Sequence, residues 1–262
     1  MPIITTERLA NEPGVLRVTL ARPDVRNAFD EEVIAALTAV ARDGAKDPTL
    51  RAVVLAGEGS AFCAGADLAW MTKAVAYTRQ DNLRDAEDLA RMLELLDALP
   101  VPVIGRVQGA ALGGGAGLVA VCDIVVAADT SVFAFSEVKL GIIPAVISPY
   151  VIRKIGVSAA RELFLTGTRF SALRAREIGL VHAVVPQTDL EETVAQYLRE
   201  ILSSSPSAVA AAKSLIREVH GRRPDDVIAL TTGRIAEQRV SEDGQEGMRA
   251  FLEKRKPRWV QQ

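Results

Sequence analysis

Two stretches of small residues are where the backbone of this chain could itself do chemistry. GEGSAFCAGADLAWM (57–71) leaves an apolar run, passes through small residues and enters a helical pattern near Asp67. Small side chains let a ligand come close to the main chain. The N–H groups at a helix start have no partner within the helix and point at whatever lies beyond it, and an acidic residue such as Asp67 suits that end of the dipole. The second stretch, VQGAALGGGAGLVAVCD (107–123), holds three consecutive glycines and two more at Gly109 and Gly117. A glycine costs roughly 1 kcal/mol in a helix relative to alanine, so the run needs a reason such as close backbone approach. Tight packing of the two stretches on each other is one reason, and two backbone donors aimed at one point is another. The residues alone leave both open. GGGAG lacks the Lys-Ser/Thr of a phosphate loop and the spacing of a dinucleotide fingerprint.

Side-chain chemistry of other kinds finds little support. The two cysteines, Cys63 and Cys122, are far apart and each lies in an apolar setting, so reduced, packed thiols are expected rather than a disulfide. The two histidines, His182 and His220, belong to no cluster with metal-ligand spacing, and His182 reads as a packed or half-exposed strand residue at the start of VHAVV. A net charge of -2 gives no basic excess for nucleic acid, and no apolar run approaches a membrane span. The N-terminal MPIITTERLANEPG lacks the basic and apolar regions of a signal peptide, so a cytoplasmic protein is expected.

The elements that must position the two stretches alternate in the first half. VLRVTL (15–20), AVVLAG (52–57), VIGRVQG (103–109) and DIVVAA (123–128) read as strands, and SVFAF (131–135) as a short one. Asp30 is placed to cap a helix whose Val33, Ile34, Leu37 and Val40 share a face. Leu83 to Leu99 has helical spacing that Pro100 and Pro102 end. After Pro144 the chain turns helical, with Ser158, Ser171, Asp189, Ser205 and Ser241 placed as caps and Gly167, Gly179 and Gly221 as stops. With 262 residues, of which 49% are apolar, a sizeable core is within reach. A βα core with a helical C-terminal extension is predicted.

AFCAGADL, VQGAALGGGAG and FSEVKLGIIP, in that order and spacing, resemble the enoyl-CoA hydratase/isomerase (crotonase) superfamily. The resemblance runs from RPDVRNAF to EDGQEGMRAFLEKRKPRW, nearly the whole chain. It implies an α/β fold in which a crotonase-like spiral of repeated ββα units (1–200) precedes a helical C-terminal trimerisation region (201–262). It also implies that the backbone N–H groups of Ala64 and Gly114 form an oxyanion hole for a thioester carbonyl, with Glu137 as the acid/base beside it. On the residues alone, Glu137 reads as a solvated glutamate near Lys139; its role comes from the resemblance. Coenzyme A contacts are implied at Arg26, Ala28, Ala66, Asp67, Leu68, Gly113, Phe251 and Lys254. Trp70 and Met71 fit either the acyl pocket or the core, and Ser136 and Ser148 are further polar candidates.

One position departs from the family pattern: Gly117 stands where its hydratases usually carry a second glutamate. That leaves three readings: a 2-enoyl-CoA hydratase, a Δ3,Δ2-enoyl-CoA isomerase working with a single base, and a non-catalytic acyl-CoA-binding homologue. GADLAWM and SEVKLGIIPAVISPYV further resemble bacterial hydratases of 3-methylglutaconyl-CoA and γ-carboxygeranoyl-CoA type substrates. A free carboxylate on such a substrate would want a cation, for which Lys139, Arg153 and Lys154 are candidates. The resemblance implies no metal and no cofactor beyond the coenzyme A of the substrate. It implies a homotrimer, or a hexamer of two trimers, and no nucleic-acid or membrane partner.

Overall fold

The structure, a computed structural model, describes residues 2–260. Its nine strands are β1 (Ile4–Leu9), β2 (Glu12–Leu20), β3 (Ala52–Gly57), β4 (Val103–Val107), β5 (Ala110–Leu112), β6 (Ile124–Ala128), β7 (Val132–Ala134), β8 (Phe170–Ser171) and β9 (Ala183–Val185). The helices are α1 (Glu31–Gly44), α2 (Leu68–Val75), α3 (Arg79–Asp97), α4 (Gly114–Val121), α5 (Ser148–Thr166), α6 (Ala172–Glu177), α7 (Leu190–Ser203), α8 (Pro206–Val219), α9 (Pro224–Val240) and α10 (Glu242–Leu252). The main sheet has the order β1-β2-β3-β4-β6-β9 and is parallel from β2 onward, with β1 pairing antiparallel to β2. A second sheet, β5-β7-β8, stands beside it.

Helices cover both faces of the main sheet, which is why its strands read as continuous apolar runs. Along β3, Val53 and Leu55 face the large core with Leu37 of α1, Met92 and Leu93 of α3, and Leu118 of α4. Ala52 and Val54 face the other way, onto Leu190, Val194 and Leu198 of α7. The period-two alternation of strand side chains thus builds two cores from one strand.

Several caps form where the sequence places them. Asp30 accepts from Glu32 and Val33, Ser171 from Arg174, Ser205 from Ala208 and Ser241 from Gly244. Asp189 precedes α7 but adopts helical angles and makes no side-chain cap bond, so a 3-10 turn at Gln187–Asp189 leads into the helix instead. In α5 the chain bends at Gly156 (φ 72), two residues before Ser158. β1 was not expected, because ITTERL is mostly polar; its partly exposed position at the sheet edge explains that composition. From Leu190 on, the described chain is helical apart from short connections and the segment after Leu252, and Gln261 and Gln262 of the expected C-terminal region lie outside the described residues.

Candidate active site

Three short parallel segments deliver the candidate groups to one end of the small sheet. Ala111 of β5 bridges Cys63 on one side and pairs with Phe133 of β7 on the other. Cys63 donates to Ala110, Leu112 donates to Cys63, and Gly113 donates to Ala134, at 2.8–3.0 Å. Three residues beyond this rung the first two segments reach Ala66 and Gly114, and four beyond it the third reaches Glu137. The closeness of the first two segments explains part of the glycine run. A side chain on Gly115 would come within 2.9 Å of Cys63 Cβ and closer still to its carbonyl oxygen.

The hydrogen bonds separate the small residues of CAGAD into distinct roles, and they correct one assignment. The N–H of Ala64 donates to the carbonyl of Arg26 at 3.0 Å, so it is spent within the fold and cannot serve an oxyanion. Two residues on, Phe29 donates to Gly65 and Asp67 donates to Phe29. The N–H of Ala66 between them has no acceptor among the described residues, and Ala66 is exposed. Gly114, the first residue of α4, likewise has an unpaired N–H, as a helix start requires. The two unpaired N–H groups at this end of the sheet are therefore those of Ala66 and Gly114, whereas the resemblance implies Ala64 as the donor and Ala66 as a coenzyme A contact.

Arg22, which the sequence reading passed over, holds the loop that carries Ala66. Its guanidinium donates to the Ala28 carbonyl at 2.6 Å and pairs with Asp67 at 2.8 Å and Asp30 at 2.9 Å. Asp67 is buried and also caps α2 by accepting from Ala69 and Trp70. Burial opposes its charge, but those N–H groups and Arg22 hold the carboxyl below its ordinary value. The Asp67 side chain is thus committed to the loop and is not available to a ligand. Ala28 is buried for the same reason, its carbonyl engaged by Arg22. The signal that could have revealed Arg22 is its place between two acidic helix caps, but only the fold brings Asp30 and Asp67 together.

Glu137 opens a 3-10 turn, Glu137–Leu140, just past β7. A side chain on Gly113, which has φ 52, would lie 3.3 Å from Glu137 Oε1, so the carboxyl rests against the N-cap of α4. Its Oε2 is buried and has no hydrogen-bond partner among the described residues. Burial raises the carboxyl above its ordinary value, countered only by the residue's own N–H; no charged neighbour contributes. Buried polar atoms are normally satisfied, and exceptions cluster where a group must act.

Gly117 lies one helical turn beyond Gly113, to whose carbonyl it donates at 3.1 Å. Its Cα faces Ile147. Of the remaining candidates, Leu68 is 80% exposed beside Ala66 and Phe251 is 83% exposed on α10. Arg26 and Lys254 are exposed, both at φ 53, and neither side chain has an ion-pair partner among the described residues. Trp70 is core: its ring packs 6.1 Å from Phe29 and its Nε1 donates to Asp85. Ser148 donates to the Ala145 carbonyl. Arg153 is paired with Asp97, and the partly buried Lys154 donates to the Cys122 carbonyl at the C-terminal end of α4. Both cations are committed, which leaves Lys139 exposed at the site's edge. His182 lies in the bend just before β9, largely exposed, and its Nδ1 accepts from Val125 N–H, a structural contact. Burial pushes the Cys63 and Cys122 thiols up to about 12, so neither is a nucleophile near neutral pH. A cavity of about 720 Å³ between the β1–β2 turn and Trp259 shares no residue with this site.

Comparisons with known proteins extend over nearly the whole chain. The model of a family described as enoyl-CoA hydratase/isomerase matches residues 10–262. The crystal structure of an enoyl-CoA hydratase from Shewanella pealeana is 40% identical, with a TM-score of 0.94 over 98% of this chain and 96% of that one. The structure of AtuE from Pseudomonas aeruginosa is 36% identical, with a TM-score of 0.94 over 99% of this chain and 100% of that one. An enoyl-CoA isomerase/hydratase from Mycosarcoma maydis is 34% identical over 93% of this chain and 92% of its own length.

Proposed function

This chain belongs to the enoyl-CoA hydratase/isomerase family, and from that premise we propose that it hydrates a 2-enoyl-CoA. The observation that carries the reading is the convergence of two unpaired backbone donors, Ala66 and Gly114, with the half-buried Glu137, whose Oε2 is buried and partnerless, at one end of the small sheet. The thioester oxygen sits between the two N–H groups. When a water oxygen bonds to Cβ, Glu137 takes the water proton and the electron pair of the double bond moves through Cα to the thioester oxygen. The oxygen becomes an oxyanion just where fixed dipoles face it, which needs no reorganisation at the moment of reaction. Glu137 then returns the proton to Cα, so it starts and ends as a carboxylate. Coenzyme A enters as part of the substrate and no further cofactor is required.

The resemblance to 3-methylglutaconyl-type hydratases supports a branched acyl chain. Homotrimer or trimer-pair assembly is supported by apolar surface on α9 and α10, where Val240, Phe251 and Leu252 are exposed. No helix among the described residues is long and apolar enough to cross a membrane. A second reading, Δ3,Δ2-isomerisation, is favoured by the solitary state of Glu137, because one base suffices to move a proton between C2 and C4. The test follows the enoyl thioester absorbance with crotonyl-CoA and 3-methylglutaconyl-CoA, beside isomerisation of a 3-enoyl-CoA. Turnover of a 2-enoyl-CoA is expected. Turnover of the 3-enoyl-CoA alone would move the chain to the isomerase reading, and none of the three would sink both.

The Glu137 carboxyl gives this mechanism a pH signature. Its value in the folded protein lies above the ordinary 4.5 because of burial. Between the unfolded and folded values the unfolded chain has already lost its proton, so this group makes stability fall as pH rises through that window. Activity runs the other way, since the proton acceptor accumulates only above the raised value. The kcat/KM profile should therefore rise along an acid limb lying above 4.5, and Glu137→Gln should lack that limb. A limb that survives the substitution belongs to another group.

A further inference from the structure

The N-terminal end of α4 that meets Glu137 has a second contact one turn deeper. Gly113 caps the helix at φ 52, and Gly117, which donates to its carbonyl, lies one turn in. Gly113 faces Glu137, and Gly117 faces Ile147. A Cβ on Gly117 would stand 3.0 Å from Ile147 Cβ and closer still to its Cγ2. Ile147 is 3% exposed, immediately before α5, with ordinary helical angles (φ −81, ψ −18) that any residue can adopt. Its side chain thus fills the space into which any residue 117 larger than glycine would project.

We propose that Ile147 is a specificity-determining residue: packed on Gly117, it keeps a second carboxylate out of the site and puts an aliphatic wall beside Glu137. The inference deepens the proposed function and rests on that reading. With two carboxylates a water molecule is gripped from both sides, which suits an unactivated, linear enoyl group. With Glu137 alone and Ile147 packed on Gly117, the favoured substrates are those whose β-carbon bears a further alkyl group that packs on this aliphatic surface. The missing glutamate is then not a simple loss. Gly117 and Ile147 are a matched pair of positions, the side chain of one occupying the space that the other leaves.

Four variants test this in the intact chain, by thermal melting and by the kcat/KM ratio for crotonyl-CoA over 3-methylglutaconyl-CoA. Gly117→Glu alone is expected to lower Tm and reduce turnover of both substrates. Ile147→Gly alone lowers Tm and, with the aliphatic side chain gone, moves the ratio toward crotonyl-CoA, but by less than the double variant does. In Gly117→Glu/Ile147→Gly the new side chain is accommodated: Tm returns to that of Ile147→Gly or above, and the ratio shifts toward crotonyl-CoA by roughly ten-fold or more. Gly117→Glu/Ile147→Ala should recover only in part, because the remaining Cβ is the atom at 3.0 Å. Gly117→Glu as stable as the parent overturns the packing, and a double variant with the parent's ratio overturns the specificity claim. A parent inert on all enoyl-CoA substrates overturns the proposed function instead, so the two failures are distinguishable.

Discussion

Glu137→Gln should lower kcat by roughly 10²-fold or more, the scale of a lost general base, with KM little changed. Glutamine keeps the shape of the side chain against Gly113 but cannot take a proton from water or return one to Cα. The folded state should survive the change. The residue is half-buried with its Oε2 buried and unpartnered, and no cation offsets its charge. A neutral amide in the same place is desolvated at lower cost than a carboxylate, so Tm near neutral pH should not fall. Loss of activity with a retained melting transition marks a residue that acts; loss of both marks one that holds the fold. An unchanged kcat would remove Glu137 from the mechanism.

Deleting one N–H from the oxyanion pair should cost about as much. Replacing Ala66 by lactic acid swaps the amide for an ester and removes the donor without altering the side chain. The expected loss is 10²- to 10³-fold in kcat, about 3–4 kcal/mol of transition-state stabilisation, as for loss of one preorganised donor elsewhere. The same exchange at Ala64 is the control that separates the two candidates. There it removes the hydrogen bond to the Arg26 carbonyl and should lower stability by about 1 kcal/mol with a smaller effect on kcat. Each ester also weakens the preceding carbonyl as an acceptor, that of Gly65 for Phe29 or that of Cys63 for Leu112, and melting curves read this separately. If the Ala64 ester is the inactive one, the donor assignment is reversed.

Much of the fold was legible because burial on both faces writes itself into composition. AVVLAG and DIVVAA are strands of a covered sheet and read as such. Asp30, Ser171, Ser205 and Ser241 announced helix starts through local hydrogen bonding. What escaped was set by partners distant in sequence. β5 is three residues within a glycine-rich run, and only its pairing with β7 and Cys63 makes it a strand. Ala64 and Ala66 are the same residue type two positions apart, and no property of either reveals which N–H is already bonded. Asp67 was read as a ligand contact because Arg22, its partner, lies 45 residues away. Ile147 sits in PAVISPY, an apolar run with no distinguishing mark; the clue was Gly117, a helix glycine whose cost asks what presses against it.

The rung joining Cys63, Ala111 and Phe133 also governs when, along a folding trajectory, the site can first exist. Cys63 and Ala111 are separated by roughly fifty residues, so no local turn or hairpin can bring Ala66 and Gly114 together, and closing so long a loop is costly before its contacts form. Pairing of β3 with β4 already spans that separation, Val53 lying against Val103 and Leu55 against Gly105, just before the rung. Cys63, Ala111 and Phe133 are themselves part of the large core. Regain of turnover after refolding is therefore expected no earlier than the pairing of these two strands, and a site formed before the parallel sheet is excluded.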